Sequence, residues 1–169
     1  MQATLTSVAA QAVTLKVNRT EVVAQAALTD TLLSTLRSDL GLTAAKRGCN
    51  QGVCGGCTVM VDGKTARACL TLTQNCGASE ITTLEGLRED PVMNALQHAF
   101  AHEGGFQCGF CTPGMLISAY SLLRGTPDPT DQDVRANLSG NLCRCTGYAS
   151  IISAIRAAAA ALKSAGGSQ

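Results

Sequence analysis

The sequence predicts an α+β fold in which a strand-rich first half is followed by a helical second half. Two hairpin signals with a helix between them precede residue 70, which favours a small layered domain. After about residue 85 the strand pattern ends, and four short helix signals with short connections suggest a four-helix bundle. We therefore expect one domain over residues 12–86 and a second over residues 87–164.

Both hairpins in the first half are predicted from alternating strands joined by turn residues. The segments that alternate are Val13–Val17 with a return at Glu21–Val23, and Thr58–Val61 with a return at Lys64–Ala68. The turn between the second pair is Asp62-Gly63, a dipeptide typical of a type I′ turn. Asn18-Arg19-Thr20 provides a weaker turn signal for the first pair.

A helix is predicted between the hairpins. Four leucines, at positions 32, 33, 36 and 40, fall on one face of such a helix. Thr29 or Asp30 is the expected N-cap, and Gly41 is the expected stop.

Four helices are predicted in the second half from their caps, prolines and terminal glycines. They are expected to run from Asp90-Pro91 to about Glu103, from Thr112-Pro113 to about Gly125, from Thr130 to about Leu138, and from about Tyr148 to Ser164 before Gly166-Gly167. Thr130 and Asp133 have the spacing of a capping box.

Composition excludes several classes of function. Lys and Arg total 13 against 12 for Asp and Glu, with no run of like charge, so a nucleic-acid-binding surface is not expected. Aromatic residues make up 3% and Trp is absent, which argues against a large organic substrate site within this chain. No apolar run is long enough for a membrane span, and the first residues lack the pattern of a signal peptide, so we expect a cytoplasmic protein.

Cysteine is the residue type that indicates chemistry. The chain has 9 cysteines, an odd number that argues against a disulfide scaffold. Eight of them divide between the two predicted domains, as Cys49, Cys54, Cys57 and Cys69 in the first and Cys108, Cys111, Cys143 and Cys145 in the second. Cys76 stands apart and is expected to be a small buried hydrophobic residue.

The first four cysteines have the C-x4-C-x2-C spacing, with a distant fourth, of a plant-type ferredoxin 2Fe-2S site. Glycines surround them in the run GCNQGVCGGC, which allows the backbone to approach a cluster closely. Four thiolates also satisfy zinc, but structural zinc sites usually pair two short C-x2-4-C knuckles. The spacing therefore favours iron–sulfur over zinc here.

The second four cysteines have the arrangement C-x2-C, then C-x-C after a long interval. Cys108 and Cys111 precede one predicted helix, and Cys143 and Cys145 precede another. Helix N-termini favour the negative charge of a thiolate-bound 2Fe-2S cluster. On spacing alone, zinc stays open as an alternative for this group.

The runs KRGCNQGVCGGCTVMVDGK, ACLTLTQ, FQCGFCTPGM and GNLCRCTGY resemble the signature segments of a known family. They are similar to the small iron–sulfur subunit of the xanthine oxidase family of molybdenum hydroxylases, a family that includes carbon monoxide dehydrogenases, aldehyde oxidoreductases and N-heterocycle hydroxylases. The resemblance extends from about residue 12 to residue 160. It implies a ferredoxin-like (β-grasp) first domain, a four-helix second domain and two 2Fe-2S clusters held by the eight cysteines.

The resemblance also implies a role and partners. The chain would pass electrons between a molybdopterin centre (molybdenum cofactor) in a large partner subunit and an acceptor, which would be a medium FAD-binding subunit or a cytochrome. The cluster of the second domain would lie nearer molybdenum, with Gln107 and Cys145 hydrogen-bonded to the pterin. The substrate would be an aldehyde, a heterocycle or a similar small molecule, and this chain would not be catalytic alone.

Two alternative functions and one pair of histidines complete the expectations. A free ferredoxin-like carrier is the main rival, although such carriers tend to be strongly acidic and this chain is not. A structural zinc module would hold one zinc ion at each group of cysteines. His98 and His102 share a helix face at i, i+4 but lack a third ligand, so we expect exposed or interface histidines.

Overall fold

The computed structural model describes residues 9–166. The strands are β1 (Gln11–Val17), β2 (Thr20–Ala26), β3 (Thr58–Val61), β4 (Lys64–Arg67) and β5 (Glu80–Thr82). The helices are α1 (Leu32–Ser34), α2 (Pro91–His102), α3 (Thr112–Gly125), α4 (Asp131–Leu138) and α5 (Ala149–Gly166). Short 3-10 helices cover Thr73–Cys76 and Leu84–Leu87. The α+β order of the prediction, strands first and helices second, is confirmed.

The five strands form one mixed sheet in the order β2-β1-β5-β3-β4. The hairpins β1–β2 and β3–β4 are antiparallel, whereas β5 pairs parallel with β1 and antiparallel with β3. β5 therefore joins two hairpins that would otherwise be separate ribbons. This strand was not predicted, because three residues are too few for an alternating pattern to stand out.

Both predicted hairpins are confirmed, and both turns use left-handed backbone. Asp62 and Gly63 have φ angles of 50° and 75°, as a type I′ turn requires. Asn18 and Arg19 have φ angles of 51° and 67°, so the first hairpin has the same kind of two-residue turn with a non-glycine second residue. The Asn18 side chain in this turn accepts from the Thr83 N–H at 2.9 Å.

The helix between the hairpins exists, but its predicted cap is wrong. Thr31, rather than Thr29 or Asp30, is the N-cap of α1 and accepts from the Ser34 N–H. Asp30 instead accepts from the Ala27 N–H at 2.7 Å. The helix continues as a π-helix over Thr35–Asp39, and Gly41, with a φ of 67°, follows its end.

The four predicted helices of the second half are present as α2 to α5. Asp90 caps α2, and Thr130 with Asp133 forms the predicted capping box of α4. Thr112, expected to cap α3 before Pro113, is instead its first helical residue, and Cys111 occupies the N-cap position. α5 begins at Ala149 and reaches Gly166, while Gly167 of the predicted stop lies outside the described residues.

Two hydrophobic clusters form the interior. One is enclosed by the sheet and α1, with Leu15, Leu32, Leu36 and Ile81 fully buried. The other lies among α2 to α5, where α2 packs on α5 and α3, and α4 packs on α3 and α5. Met60 of β3 belongs to the second cluster, because α3 lies against β3 and β4. The helical half thus packs directly on the strand that follows the first three cysteines.

Within residues 9–166, no helix combines the length and the apolar character needed to cross a membrane.

Candidate metal centres

The first three cysteines lie in an irregular loop before β3. Asn50, Gly52 and Gly55 have φ angles of 55°, 74° and 71°, so the chain turns repeatedly through left-handed backbone. A Cβ on Gly48 would stand 2.9 Å from the Cys54 Sγ, which leaves no room for a side chain beside that thiol. The loop is thus built to wrap closely around its own sulfur atoms.

Backbone hydrogen bonds bring the first four cysteines together. The Cys54 N–H donates to the Cys49 Sγ at 3.4 Å, and the Ala68 N–H, next to Cys69, donates to the Cys57 carbonyl at 3.2 Å. Cys69 follows β4, so the β3–β4 hairpin returns the fourth cysteine to the loop. The predicted Asp62-Gly63 turn lies among the 11 residues that separate Cys57 from Cys69 and so brings these two cysteines together.

Backbone N–H groups point at one sulfur of this group. The Cys49 Sγ accepts from the N–H of Gln51 at 3.3 Å and from that of Cys54 at 3.4 Å. The N–H of Cys54, followed by that of Gln51, lowers the pKa of Cys49 to about 6. Burial instead raises the pKa of Cys57 to about 11, so a cation is needed to hold that sulfur as a thiolate.

The second group is assembled from two loops. The Sγ atoms of Cys108 and Cys145 are 3.6 Å apart, and Cys111 and Cys143 both pack against the helical core. The Thr146 hydroxyl donates to the Cys143 Sγ at 3.1 Å. Burial works to raise the pKa of Cys143, but hydrogen bonds from the hydroxyl and N–H of Thr146, the N–H of Cys145 and the thiol of Cys111 together outweigh it and lower that pKa. Burial raises the pKa of Cys111 to about 12.

Each group has the donors that a 2Fe-2S cluster takes. Such a cluster offers two irons that each take two thiolates, and each group supplies four free cysteines. One zinc ion instead needs four sulfurs about 2.3 Å from a single point. The Thr112 hydroxyl, next to Cys111, is buried and has no hydrogen-bond partner among residues 9–166. The sulfur atoms of a cluster bound there would supply an acceptor.

The other predicted residues are placed as follows. Cys76 is 2% exposed and donates to the Leu72 carbonyl at 3.4 Å, in keeping with a buried core residue, and burial raises its pKa. Gln107 is exposed at the surface and precedes the exposed Cys108, whose Sγ lies 3.6 Å from that of Cys145. His98 and His102 are exposed, and His102 Nδ1 lies 3.0 Å from Glu103 Oε1.

A polar junction that sequence reasoning missed joins the two cysteine loops. Asn141 donates from Nδ2 to the Gly55 carbonyl at 3.2 Å, and Arg67 donates to the Gly140 carbonyl at 2.7 Å. The Tyr148 hydroxyl accepts from the Cys143 N–H at 2.9 Å and donates to the Asn141 carbonyl at 2.9 Å. These contacts connect residues up to 86 positions apart, and no spacing rule marks them in the sequence.

Comparison with known proteins identifies both halves. Residues 9–97 match the 2Fe-2S iron-sulfur cluster binding domain, and residues 83–156 match the 2Fe-2S binding domain. The chain is 49% identical over 125 residues to the nicotinate dehydrogenase small FeS subunit of Eubacterium barkeri, covering 74% of this chain and 80% of that one.

The chain belongs to the small iron–sulfur subunits of the xanthine oxidase family of molybdenum hydroxylases.

Solved structures agree with this family assignment. Quinoline 2-oxidoreductase from Pseudomonas putida 86 contains a chain that superposes with a TM-score of 0.86 at 43% identity, covering 92% of this chain and 97% of that one. The aldehyde oxidoreductase of Desulfovibrio desulfuricans ATCC 27774 superposes with a TM-score of 0.84 at 41% identity, covering 91% of this chain but 17% of that one.

Membership in this iron–sulfur subunit family settles the general role of the chain. It carries two 2Fe-2S clusters, one for each matched domain, and transfers electrons as a subunit of an oxidoreductase without being catalytic alone. The family does not favour the alternative of a free ferredoxin-like carrier.

Proposed function

We propose that each group of four cysteines holds one 2Fe-2S cluster. Cys49, Cys54, Cys57 and Cys69 form the site of a ferredoxin-like domain over residues 12–86, and Cys108, Cys111, Cys143 and Cys145 form the site of a four-helix domain over residues 87–164. The observations that carry the proposal are the 3.6 Å distance between the Sγ atoms of Cys108 and Cys145, which brings two separate loops together, and the N–H groups of Gln51 and Cys54 that point at the Cys49 Sγ. When bound, each cluster accepts or donates one electron at a time.

The cluster of the helical domain faces the large partner subunit, which holds molybdopterin. Cys108 and Cys145 are exposed, whereas Cys57 and Cys69 in the other group are buried. Exposed apolar side chains lie near this exposed pair in the chain: Phe106 is 44% exposed, Phe110 is 48% exposed and Leu142 is 53% exposed. A surface of this kind is typical of a protein interface, since it leaves apolar area unburied in the isolated chain.

Gln107 and Cys145 are the residues proposed to contact the pterin. Gln107 directly precedes Cys108, whose sulfur lies 3.6 Å from that of Cys145, so one amide and one thiolate are presented on the same surface. An amide offers two donors and a carbonyl acceptor, which suits the alternating polar groups of a pterin ring. The two residues would orient the pterin edge and link it to the cluster site by hydrogen bonds.

The relatives support a proposal for the wider complex. Relatives include subunits of nicotinate dehydrogenase and of aldehyde oxidoreductase, so we infer a small aldehyde or N-heterocycle as substrate, oxidised in the large subunit. In the Desulfovibrio enzyme, the corresponding fold is one part of a longer chain. The cluster of the first domain would then pass electrons to a medium FAD-binding subunit or to a cytochrome.

The test compares variants of one cysteine from each group in the complex with its partners. Cys145→Ala is expected to remove the iron of the helical domain and to stop reduction of the remaining cluster by substrate. Cys49→Ala is expected to remove the other cluster but to leave the first reduction by substrate intact. Cys76→Ala, the matched control, should keep both clusters. Reduction of the helical-domain cluster by substrate in the Cys145 variant would contradict the ligand assignment.

A further inference from the structure

One backbone hydrogen bond directly links the two cysteine groups. The Leu142 N–H donates to the Cys54 carbonyl at 2.9 Å. Cys54 is a proposed ligand of the first cluster, and Leu142 immediately precedes Cys143, a proposed ligand of the second. The route from one ligand to the other therefore crosses a single hydrogen bond and otherwise follows covalent bonds of Cys54, Leu142 and Cys143.

Asn141 fixes the position of this hydrogen bond. It is 2% exposed, and its Nδ2 donates to the Gly55 carbonyl at 3.2 Å and to the Thr58 Oγ1 at 3.3 Å. Its Oδ1 accepts from the Ser118 hydroxyl of α3 at 2.8 Å. One amide therefore ties together the residue after Cys54, the first residue of β3 and the helix that begins after Cys111.

The backbones at this point are so close that neither side can shift freely. A Cβ on Gly55 would stand 2.4 Å from the Gly140 carbonyl and 2.6 Å from Asn141 Nδ2. A Cβ on Gly114 would stand 2.2 Å from the Gly55 carbonyl. If these segments moved apart, the buried Asn141 amide would lose its hydrogen-bond partners at a cost in free energy. The first cysteine loop, β3 and α3 are therefore held in one arrangement.

We propose that Asn141 is a positioning residue for electron transfer between the two clusters, acting by holding the Leu142–Cys54 hydrogen bond closed. This inference rests on the proposed ligand assignment. In the step, one electron leaves one reduced cluster, which returns to its oxidised state, and enters the other, which is reduced. No bond forms or breaks and no proton moves. The two electrons of each substrate oxidation, supplied by the partner subunit, pass singly across this junction.

The test uses the complex purified with its partners and compares Asn141→Asp with wild type. Aspartate keeps the size and the acceptor for Ser118 but loses the amide donor and puts an anion beside the Gly55 carbonyl. Gln132→Glu, on the exposed face of α4, makes the same amide-to-acid change away from the junction and serves as control. The measurements are iron content, the EPR signal and potential of each cluster, the magnetic splitting between the reduced clusters, and the rate of electron transfer between them after rapid mixing with substrate.

We expect Asn141→Asp to retain both clusters, with potentials lowered by the buried carboxylate, while the magnetic splitting shrinks and the transfer rate, compared at equal driving force, falls several-fold. Ser118→Ala should show a smaller change in the same direction, and Gln132→Glu none. An unchanged splitting and rate in a fully loaded Asn141→Asp complex would overturn the proposal. Loss of iron from Asn141→Asp together with wild-type splitting and rate in Ser118→Ala would also overturn it. Zinc in the wild-type complex would instead overturn the ligand assignment.

Discussion

The contact between Gly114 and Gly55 gives the sharpest test of how the two halves are joined. In Gly114→Ala the new Cβ would be 2.2 Å from the Gly55 carbonyl oxygen and 3.2 Å from its carbon. Relief of this overlap requires α3 and the first cysteine loop to separate by about 1 Å, because non-bonded contacts settle near 3.5 Å. Overpacking of this kind costs about 1–3 kcal/mol, against a gain of up to about 1 kcal/mol from replacing glycine in a helix.

Gly125→Ala is the matched control, since it lies in the same helix and a Cβ there would meet nothing within 4 Å. With a net loss of about 1–2 kcal/mol, Gly114→Ala is expected to lower the apparent Tm by several degrees, roughly 2–4 °C for each kcal/mol in a chain of this size. The magnetic splitting between the reduced clusters should also weaken, because both cysteine loops border the contact. The reasoning would be refuted if Gly114→Ala, Gly125→Ala and wild type all gave the same thermal melt and the same EPR spectrum.

Three further outcomes are expected from local contacts. Gly48→Ala should lose the cluster of the first domain and keep the other, because its Cβ would stand 2.9 Å from the Cys54 Sγ. Iron content and EPR measure this loss, and two intact EPR signals would contradict it. Asp90→Ala should destabilise the chain by about 1–2 kcal/mol, because α2 loses the two hydrogen bonds from its first N–H groups to the Asp90 carboxylate. The apparent Tm should therefore fall, and an unchanged Tm would argue against the cap. The hydroxyl and N–H of Thr130 lower the pKa of Asp133, so this cap adds stability above about pH 4 and loses it as the pH falls through the lowered value. Asp133→Asn should flatten that part of the Tm profile against pH, and a profile identical to wild type would contradict the assignment.

Local signals in the sequence predicted most of the fold. Asp62-Gly63 marks its hairpin because only a few residue types accept two successive left-handed conformations. Asp90 and Thr130 mark helix starts because their side chains accept from backbone N–H groups within three residues. Signals of this kind depend on neighbouring residues alone, so they are readable without knowledge of the rest of the fold.

Features that depend on distant residues were not predictable in this way. The π-helix at Thr35–Asp39 accompanies a buried hydrogen bond at 2.8 Å between the hydroxyls of Thr35 and Thr73. The cap of α3 shifted to Cys111, and the partnerless Thr112 hydroxyl beside it is not used as a cap. Cysteine spacing indicated the two groups because ligand loops are local, whereas Asn141 is a single polar residue whose partners are brought to it by the tertiary fold.

The measurement that tests the central claim most directly is the content of iron, acid-labile sulfide and zinc per chain in the anaerobically purified complex, with EPR after dithionite reduction. The account predicts about four irons, about four sulfides and two distinguishable 2Fe-2S signals. About two zinc ions per chain with no EPR signal would contradict it, because the eight cysteines would then serve only as structural ligands.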